Sequence, residues 1–388
     1  MNPSPALDAK PAPSSARRLA ILVSFSGTGG VEVGVLNLLP AFLNAGVAVD
    51  LLGIFKTGIP ERLKVDHSGL RIVDLGVRHT HLIVPALVRY LRREPPTALL
   101  VAKDRAIRMA VLAKVLSRAD IRLVGQLNTD LSAALAAKPA VQRWWRTFPM
   151  RWYYPNVDCV VAVSEGVAAD THRLSGLPLD RIPVIRNPVI GPELYEKARV
   201  PIDHPWFASS EVPVILGAGR LTVQKDFATL IRAFALARSR RPCRLVILGE
   251  GPMRSTLERL TSELGLGRDL ALPGHVANPF AYMARAALFA LSSRWEGSGN
   301  VLTEAMALGI PVVSTDCPSG PGEMLEGGRY GRLVPVGDSE RLAEAMLYTL
   351  AEPPNPARLK DAVAEYTIAR SAQRYLEVLG LDASAPLP

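Results

Sequence analysis

Short apolar runs bounded by turn-forming residues alternate along this chain with stretches whose apolar positions recur at helical spacing. That alternation is the signature of repeated strand–helix–strand units. In the first half the runs predict strands at Leu19–Phe25, Val47–Ile54, Leu70–Leu75, Ala98–Lys103, Ile121–Leu127 and Cys159–Ser164, with helices between them such as Val31–Ala45 and Arg105–Ser117. A second series follows at Val214–Gly219, Arg244–Gly249, Ala287–Leu291, Val312–Thr315 and Arg332–Val336. The expected class is α/β, with two doubly wound parallel sheets. They join near Asn187-Pro-Val-Ile-Gly-Pro192, which breaks regular structure. The expected organisation is a disordered tail over 1–16, an N-terminal domain over 17–190 and a C-terminal domain over 191–366. A last helix, about Thr367–Leu379 within the segment 367–388, follows the break Pro353-Pro-Asn-Pro356.

At 388 residues and 48% hydrophobic composition, the chain holds enough apolar material for about two well-filled domains. Cys159, Cys243 and Cys317 match no metal or redox spacing and are expected to pack reduced in the cores of a cytosolic protein. No apolar stretch approaches the roughly 18–20 residues that span a bilayer. The Pro-, Ala- and Ser-rich start lacks the apolar centre of a signal peptide.

The charge is informative once divided. Residues 1–190 carry 24 Lys+Arg against 14 Asp+Glu, whereas residues 191–388 carry 21 against 22. The excess in the first half points to a polyanionic partner: nucleic acid, an anionic membrane surface or a phosphorylated acceptor. The low aromatic content, 6%, and the lack of any RNA- or DNA-binding motif argue against nucleic acid.

The densest chemistry lies in Ser293-Arg-Trp-Glu-Gly-Ser-Gly-Asn-Val-Leu-Thr-Glu-Ala-Met-Ala307. Glu296 falls in a Gly-rich loop at the end of an expected buried strand, and Glu304 about one turn into the helix that Asn300 starts. The loop amides and helix N-terminus between the two carboxylates can receive anionic oxygens. Two acceptors flanking such a nest suit a ligand with hydroxyls at both ends and phosphate between, such as a nucleotide sugar. Upstream, Gly219-Arg220-Leu221 and Gln224-Lys225-Asp226 follow a strand. Arg220 and Lys225 can straddle a diphosphate, one by a bidentate fork and one as a point charge. Gly249-Glu250-Gly251-Pro252 ends the next strand with small residues that let backbone approach a nucleotide.

The run from Glu296 to Ser314, followed by Thr315-Asp-Cys-Pro-Ser-Gly-Pro-Gly-Glu323 and Gly331-Arg-Leu-Val-Pro-Val-Gly-Asp338, resembles the nucleotide-sugar segment of family 4 of the glycosyltransferases. These are retaining enzymes of the GT-B fold, in which two Rossmann-like domains face each other across a cleft. The resemblance implies that the C-terminal domain holds the nucleotide sugar, the N-terminal domain holds the acceptor, and the last helix returns to the N-terminal domain. It also implies that Glu304 binds the ribose hydroxyls, Glu296 the sugar hydroxyls, and the Asn300 and Val301 amides a phosphate. Leu272-Pro-Gly-His275-Val would lie where the family lines the base and ribose, with His275 a turn residue there rather than a catalyst, and Ser298 would lie on the donor-binding loop, while the variant Pro318-Ser-Gly-Pro321 resembles members that use UDP sugars. The Gly-rich Ser26-Gly-Thr-Gly29-Gly30 resembles the family's turn beside the donor phosphates; it is not a dinucleotide fingerprint, because Glu32 stands where that pattern needs Gly.

The sequence departs from the family after the strand Ile121–Leu127, where many members carry a His. Here Gln126-Leu-Asn128-Thr129-Asp130 stands instead, and Asn128, Thr129 or Asp130 is expected on the acceptor or the sugar. His79 and His172 are alternatives without supporting pattern. Cations and aromatic rings interleave in Gln142-Arg143-Trp144-Trp145-Arg146-Thr-Phe-Pro-Met-Arg151-Trp152-Tyr-Tyr154. The expectation is a peripheral patch on the inner face of an anionic membrane; the alternative is an amphipathic helix packed on its own sheet. The expected activity moves a hexose or N-acetylhexosamine from a UDP sugar, with GDP-mannose open, to a lipid-diphosphate-linked saccharide of a bacterial surface polysaccharide. No metal or other cofactor is expected, since Arg220 and Lys225 take the cation's part. A nucleotide-sugar epimerase and a non-catalytic partner of a membrane synthase are the alternatives.

Overall fold

The computed structural model describes residues 17–25, 30–55, 68–77, 82–207 and 211–382. Two six-stranded sheets organise it. The first comprises β1 (Arg18–Phe25), β2 (Ala48–Phe55), β3 (Leu70–Asp74), β4 (Ala98–Ala102), β5 (Arg122–Leu127) and β6 (Cys159–Ala162), in the order β3-β2-β1-β4-β5-β6. The second comprises β7 (Val214–Ala218), β8 (Arg244–Leu248), β9 (Leu270–Gly274), β10 (Leu288–Leu291), β11 (Val312–Thr315) and β12 (Arg332–Val334), in the order β12-β11-β10-β7-β8-β9. Every strand pair is parallel. The reason is compositional: β4, β6, β7 and β10 are buried along their whole length, as helices on both faces require.

In each sheet the strand order reverses beside the first strand of the set, at β1/β4 and at β7/β10. Ligands of doubly wound sheets bind at such switch points, beyond the carboxyl ends of the strands. Four apolar clusters, two for each sheet, fill the space between sheet and helices.

The strand expected at each apolar run is present, with both ends within two residues of the expected ones and Val312–Thr315 unchanged. β9 was not anticipated. Its sequence, Leu-Ala-Leu-Pro-Gly, carries Pro273 and Gly274, which read as a turn, yet a proline is tolerated on an edge strand, and β9 is the edge beside β8.

The last helix, Ile368–Leu379, packs on the first sheet. Tyr375, Ala372 and Leu379 share a cluster with Val124, Val161 and Ile185, and Arg122 Nε donates to the Val378 carbonyl at 2.6 Å. The isolated parallel bridge Ile190↔Thr367 sets the outgoing and returning strands of chain side by side. The expected tail, 1–16, lies outside the described residues.

Candidate functional site

The β7/β10 switch point is built from backbone outward. After β7 the chain turns at Gly219 (φ 151°), and after β8 at Gly249 (φ 137°); a Cβ on Gly249 would collide with the Gly219 carbonyl. Glycine is needed there because the two loops touch backbone to backbone. The loop after β7 is then stitched to the loop after β10. Gln224 Nε2 donates to the Trp295 carbonyl at 2.9 Å, the Arg294 amide donates to the Gln224 carbonyl at 2.7 Å, and Ser292 Oγ donates to the Lys225 carbonyl at 2.8 Å.

These contacts bring Lys225 and Glu296 together. Lys225 Nζ lies 2.6 Å from Glu296 Oε1, and Ser293 Oγ donates to the same oxygen at 2.6 Å. Glu296 is 6% exposed. Arg220 stands exposed at the end of β7 with no side-chain partner among the described residues. Lys225 on phosphate and Glu296 on sugar hydroxyls are expected as separate duties; the fold makes the two one charge-assisted pair, and Arg220, five residues before Lys225, is exposed without such a partner among the described residues.

Glu304 projects from the helix Asn300–Ala307, half-buried and without a side-chain partner among the described residues. Burial pushes its carboxyl up to about 8, with the Lys225 charge opposing. The helix opens after Gly299 (φ 79°) with no side-chain cap, so the Asn300 and Val301 amides have no acceptor within it. The buried Ser298 hydroxyl is also unpartnered among the described residues. Two expected residues sit farther out. Glu250 is exposed and held by Arg254 at 2.5 and 2.7 Å, which draws its carboxyl below the usual range; His275 is exposed just past β9.

The first-sheet wall meets this one at several points. Asn187 Nδ2 donates to Asn300 Oδ1 at 2.7 Å, and a Cβ on Gly30 would lie 3.5 Å from Asn300 Nδ2. Gly29 lies outside the described residues, as does His79. Gly297 passes so close to the Asn128 carbonyl that a Cβ would clash. Asn128 Oδ1 accepts from Gln126 Nε2 at 3.3 Å, while its own amide nitrogen is buried and unpartnered among the described residues. Thr129 is exposed.

Asp130 differs from the expectation. It caps the helix Leu131–Leu135, accepting from the Ala133 amide at 2.8 Å, and accepts from Ser319 Oγ at 3.1 Å. Burial, with the nearby Asp170, raises its pKa. Its oxygens are thus engaged in a cap and an interdomain bond. His172 is also occupied, its Nδ1 lying 2.8 Å from the Leu177 carbonyl.

Sequence reasoning missed a three-donor contact between the walls. The Glu323 carboxylate accepts from the Glu165 and Gly166 amides at 2.8 and 2.7 Å and pairs with Arg186 at 2.8 Å. It thereby seats an anion on the N-terminus of the helix Glu165–Ser175. The only local signal was the small residue at Gly166, where a side chain would strike Ser319.

The aromatic segment forms the helices Ala140–Thr147 and Met150–Tyr153, the first without a buried residue. Trp144 stacks on Phe148 with ring centroids 4.5 Å apart, Trp145 is 66% exposed and Trp152 70%. The packed-helix alternative therefore does not describe these rings. Arg143 and Arg151 are exposed, but Arg146 corrects the expectation: it turns inward, 3.9 Å from Asp104, and Arg108 Nη2 donates to its carbonyl at 2.5 Å. No helix among the described residues is long and apolar enough to cross a membrane.

Residues 28–190 match the domain described as Glycosyltransferase Family 4, and residues 212–352 the domain described as Glycosyl transferases group 1. The chain is 28% identical over 369 residues to the lipopolysaccharide core biosynthesis glycosyltransferase LpsE of Rhizobium meliloti, covering 92% of this chain and 97% of that one. It is 32% identical over 230 residues to the N-acetylgalactosamine-N,N'-diacetylbacillosaminyl-diphospho-undecaprenol 4-alpha-N-acetylgalactosaminyltransferase of Campylobacter jejuni, 58% of this chain and 61% of that one. Among solved structures, the lipopolysaccharide outer core galactosyltransferase WaaB superposes with a TM-score of 0.71 at 19% identity, over 93% of this chain and 99% of that one. Anabaena HepE in complex with UDP does so at 0.73 and 20%, over 93% and 99%. With a family 4 domain on the first sheet and a group 1 domain on the second, the chain belongs to the glycosyltransferases and has their GT-B fold.

Proposed function

We propose that the protein transfers a hexose or N-acetylhexosamine from a UDP sugar, with retention of anomeric configuration, to a lipid-diphosphate-linked saccharide in bacterial lipopolysaccharide or polysaccharide assembly. The observation that carries the reading is the Lys225–Glu296 pair at 2.6 Å, with exposed Arg220 beside it at the β7/β10 switch point. Cleavage at the anomeric carbon moves negative charge onto the departing diphosphate. Arg220 and one of the three Lys225 donors neutralise that charge as it develops, which is what a metal ion would otherwise supply. Glu296, held by Lys225 and Ser293, keeps its second oxygen to accept from sugar hydroxyls. Glu304 serves the ribose diol, and the free amides of the helix Asn300–Ala307 serve phosphate.

In the step itself the bond from the anomeric carbon to the diphosphate oxygen breaks, and a bond to the acceptor hydroxyl oxygen forms on the same face. The acceptor proton passes to the leaving diphosphate, so no side-chain base is required. The names of the relatives support the acceptor class: lipopolysaccharide core in one case and a diphospho-undecaprenol saccharide in another. A solved neighbour bound to UDP supports the donor class.

The test is a thermal-shift screen against UDP, GDP and ADP, followed by turnover of the stabilising sugar nucleotide on a polyprenyl diphosphate saccharide, with and without EDTA. A ligand at about 100 times its Kd adds roughly 2.7 kcal/mol. A shift with UDP, its loss in Arg220→Ala, and an α-linked product from an α-linked donor in EDTA are expected. A β-linked product, or turnover only with added metal, overturns the mechanism.

A further inference from the structure

We propose that Ser319 is a positioning residue for the transfer: through its backbone neighbours it sets the loop that carries Glu296, and through its side chain it ties that loop to the first-sheet wall. The proposal deepens the reading above and rests on it for the donor and the acceptor.

The loop after β11 runs alongside the loop after β10. Thr315 Oγ1, at the end of β11, donates to the Ser293 carbonyl at 2.6 Å. The Glu296 amide donates to the Pro318 carbonyl at 3.2 Å. Gly320 (φ 93°) then passes so close to Ser298 that a Cβ would lie 2.7 Å from the Ser298 carbonyl oxygen. Ser319 is therefore flanked by two residues that touch the Glu296 loop, one by a hydrogen bond and one by backbone packing. Its own backbone is left-handed (φ 64°), a conformation that is costly for a residue with a Cβ and that glycine adopts freely. Such a conformation persists where the surrounding contacts over-determine it.

Those contacts come from the opposite wall. Ser319 Oγ donates to Asp130 Oδ2 at 3.1 Å, 189 residues away in the chain. Asp130 is buried and held in place as the cap of the helix Leu131–Leu135. Gly166 packs against the same side chain: a Cβ there would lie 2.5 Å from Ser319 Oγ and 3.0 Å from its Cα. Farther along the segment, Glu323 fixes it again on the Glu165 and Gly166 amides. The Glu296 loop is thus held at two places, by Pro318 and Gly320 and by the Asn128 carbonyl against Gly297. A displacement of Ser319 passes to the Glu296 amide and the Ser298 carbonyl, and so to the carboxylate that Lys225 and Ser293 hold. A misplacement of about 1 Å in an active site costs on the order of a hundredfold in rate. Among the described residues the Glu296 carboxylate bonds Lys225 and Ser293, not Ser319, so Ser319 acts on the geometry of the loop rather than on the reacting atoms.

The experiment compares the full chain with Ser319→Ala, which removes the hydroxyl, and with Ser319→Gly, which also relieves the left-handed backbone. Turnover is measured with the UDP sugar that stabilises the protein and a polyprenyl diphosphate saccharide, and amide hydrogen exchange is followed over residues 293–300 with UDP bound. Both variants should lose about tenfold or more in kcat, with donor KM and UDP Kd changed by less than about threefold. Ser319→Gly should keep or raise the Tm, so that its loss of rate is not a loss of fold. Exchange over 293–300 should rise about tenfold in both, as loss of one hydrogen bond implies, while the strands of the two sheets exchange as before. A kcat in Ser319→Gly within about threefold of the unaltered protein, unaltered exchange over 293–300, or a fall in donor affinity that matches the fall in rate would each overturn the role. Lack of turnover by the unaltered protein, with the rise in exchange still present in the variants, counts against the transfer reading and leaves the hold of Ser319 on the loop standing, so the two failures are told apart.

Discussion

Lys225 Nζ and Glu296 Oε1 are 2.6 Å apart, although 71 residues separate them in the chain. Both are largely buried, so each charge depends on the other. Removing one partner of a fully buried pair costs about 3–5 kcal/mol; with some solvent reaching Lys225, roughly 1–3 kcal/mol is expected here. Lys225→Ala and Glu296→Ala should each lower stability by that amount, and the double variant should lose much less than their sum. A double-mutant cycle by urea unfolding measures the coupling. Additive losses would show that the pair is not formed in solution.

Glu304 has the opposite character, a carboxyl with no cation bonded to it. Its pKa of about 8 in the fold exceeds its ordinary 4.5, so the folded state binds a proton that the unfolded chain has already released. Its contribution to stability is fully present below about 4.5 and declines as pH rises through 8. Glu304→Gln, which cannot ionise, should match the unaltered protein at pH 4.5 and exceed it at pH 9 by roughly 1–3 kcal/mol, a value reduced from the full shift for partial solvent access. Urea unfolding at the two pH values reads this. Glu304→Ala should in addition weaken UDP about tenfold, as loss of one to two hydrogen bonds implies; an unchanged UDP affinity removes Glu304 from the ribose.

Much of this was legible in the chain. Apolar runs such as Val214–Ala218 and Ala98–Ala102 are too apolar to lie anywhere but in a covered sheet, and each is a strand. The Gly-rich loop and helix around Glu296 and Glu304 could be read because all the parts lie within one short segment. What could not be read was any relation across the cleft or across a long loop. Nothing local says that Lys225 meets Glu296, that Asp130 is engaged by Ser319, or that Arg146 turns toward Asp104 while its neighbours face solvent. β9 escaped because Pro273 and Gly274 carry a turn signature that an edge position overrides.

Glu323 supplies a prediction about how the two domains seat. Its carboxylate serves two helix-terminal amides and Arg186 at once. Glu323→Ala leaves those donors to water and should cost roughly 1–2 kcal/mol, the range for loss of a strong cap. It should also widen the distribution of domain separations, read as a larger radius of gyration by X-ray scattering. Glu323→Gln keeps one acceptor oxygen and should fall between. A radius unchanged in Glu323→Ala would mean that the other contacts, such as Asn187 with Asn300, seat the domains without it.

The aromatic segment separates two kinds of arginine, and the separation can be measured. Arg143 and Arg151 are exposed beside Trp145 and Trp152, whereas Arg146 is tied through its carbonyl to Arg108 and through its side chain toward Asp104. A basic residue near an anionic surface contributes about 1 kcal/mol. Arg143→Gln with Arg151→Gln should therefore weaken binding to phosphatidylglycerol vesicles by about 10- to 30-fold and leave the Tm unchanged. Trp145→Ser with Trp152→Ser should weaken binding to neutral and anionic vesicles alike, since rings at the headgroup level act without net charge. Arg146→Gln should lower the Tm, because it removes a cation from the buried Asp104 network. Co-sedimentation with vesicles and thermal unfolding decide the matter together. If the Arg143/Arg151 variant sediments as the unaltered protein does, the patch does not face a membrane, and the exposed rings must serve another surface.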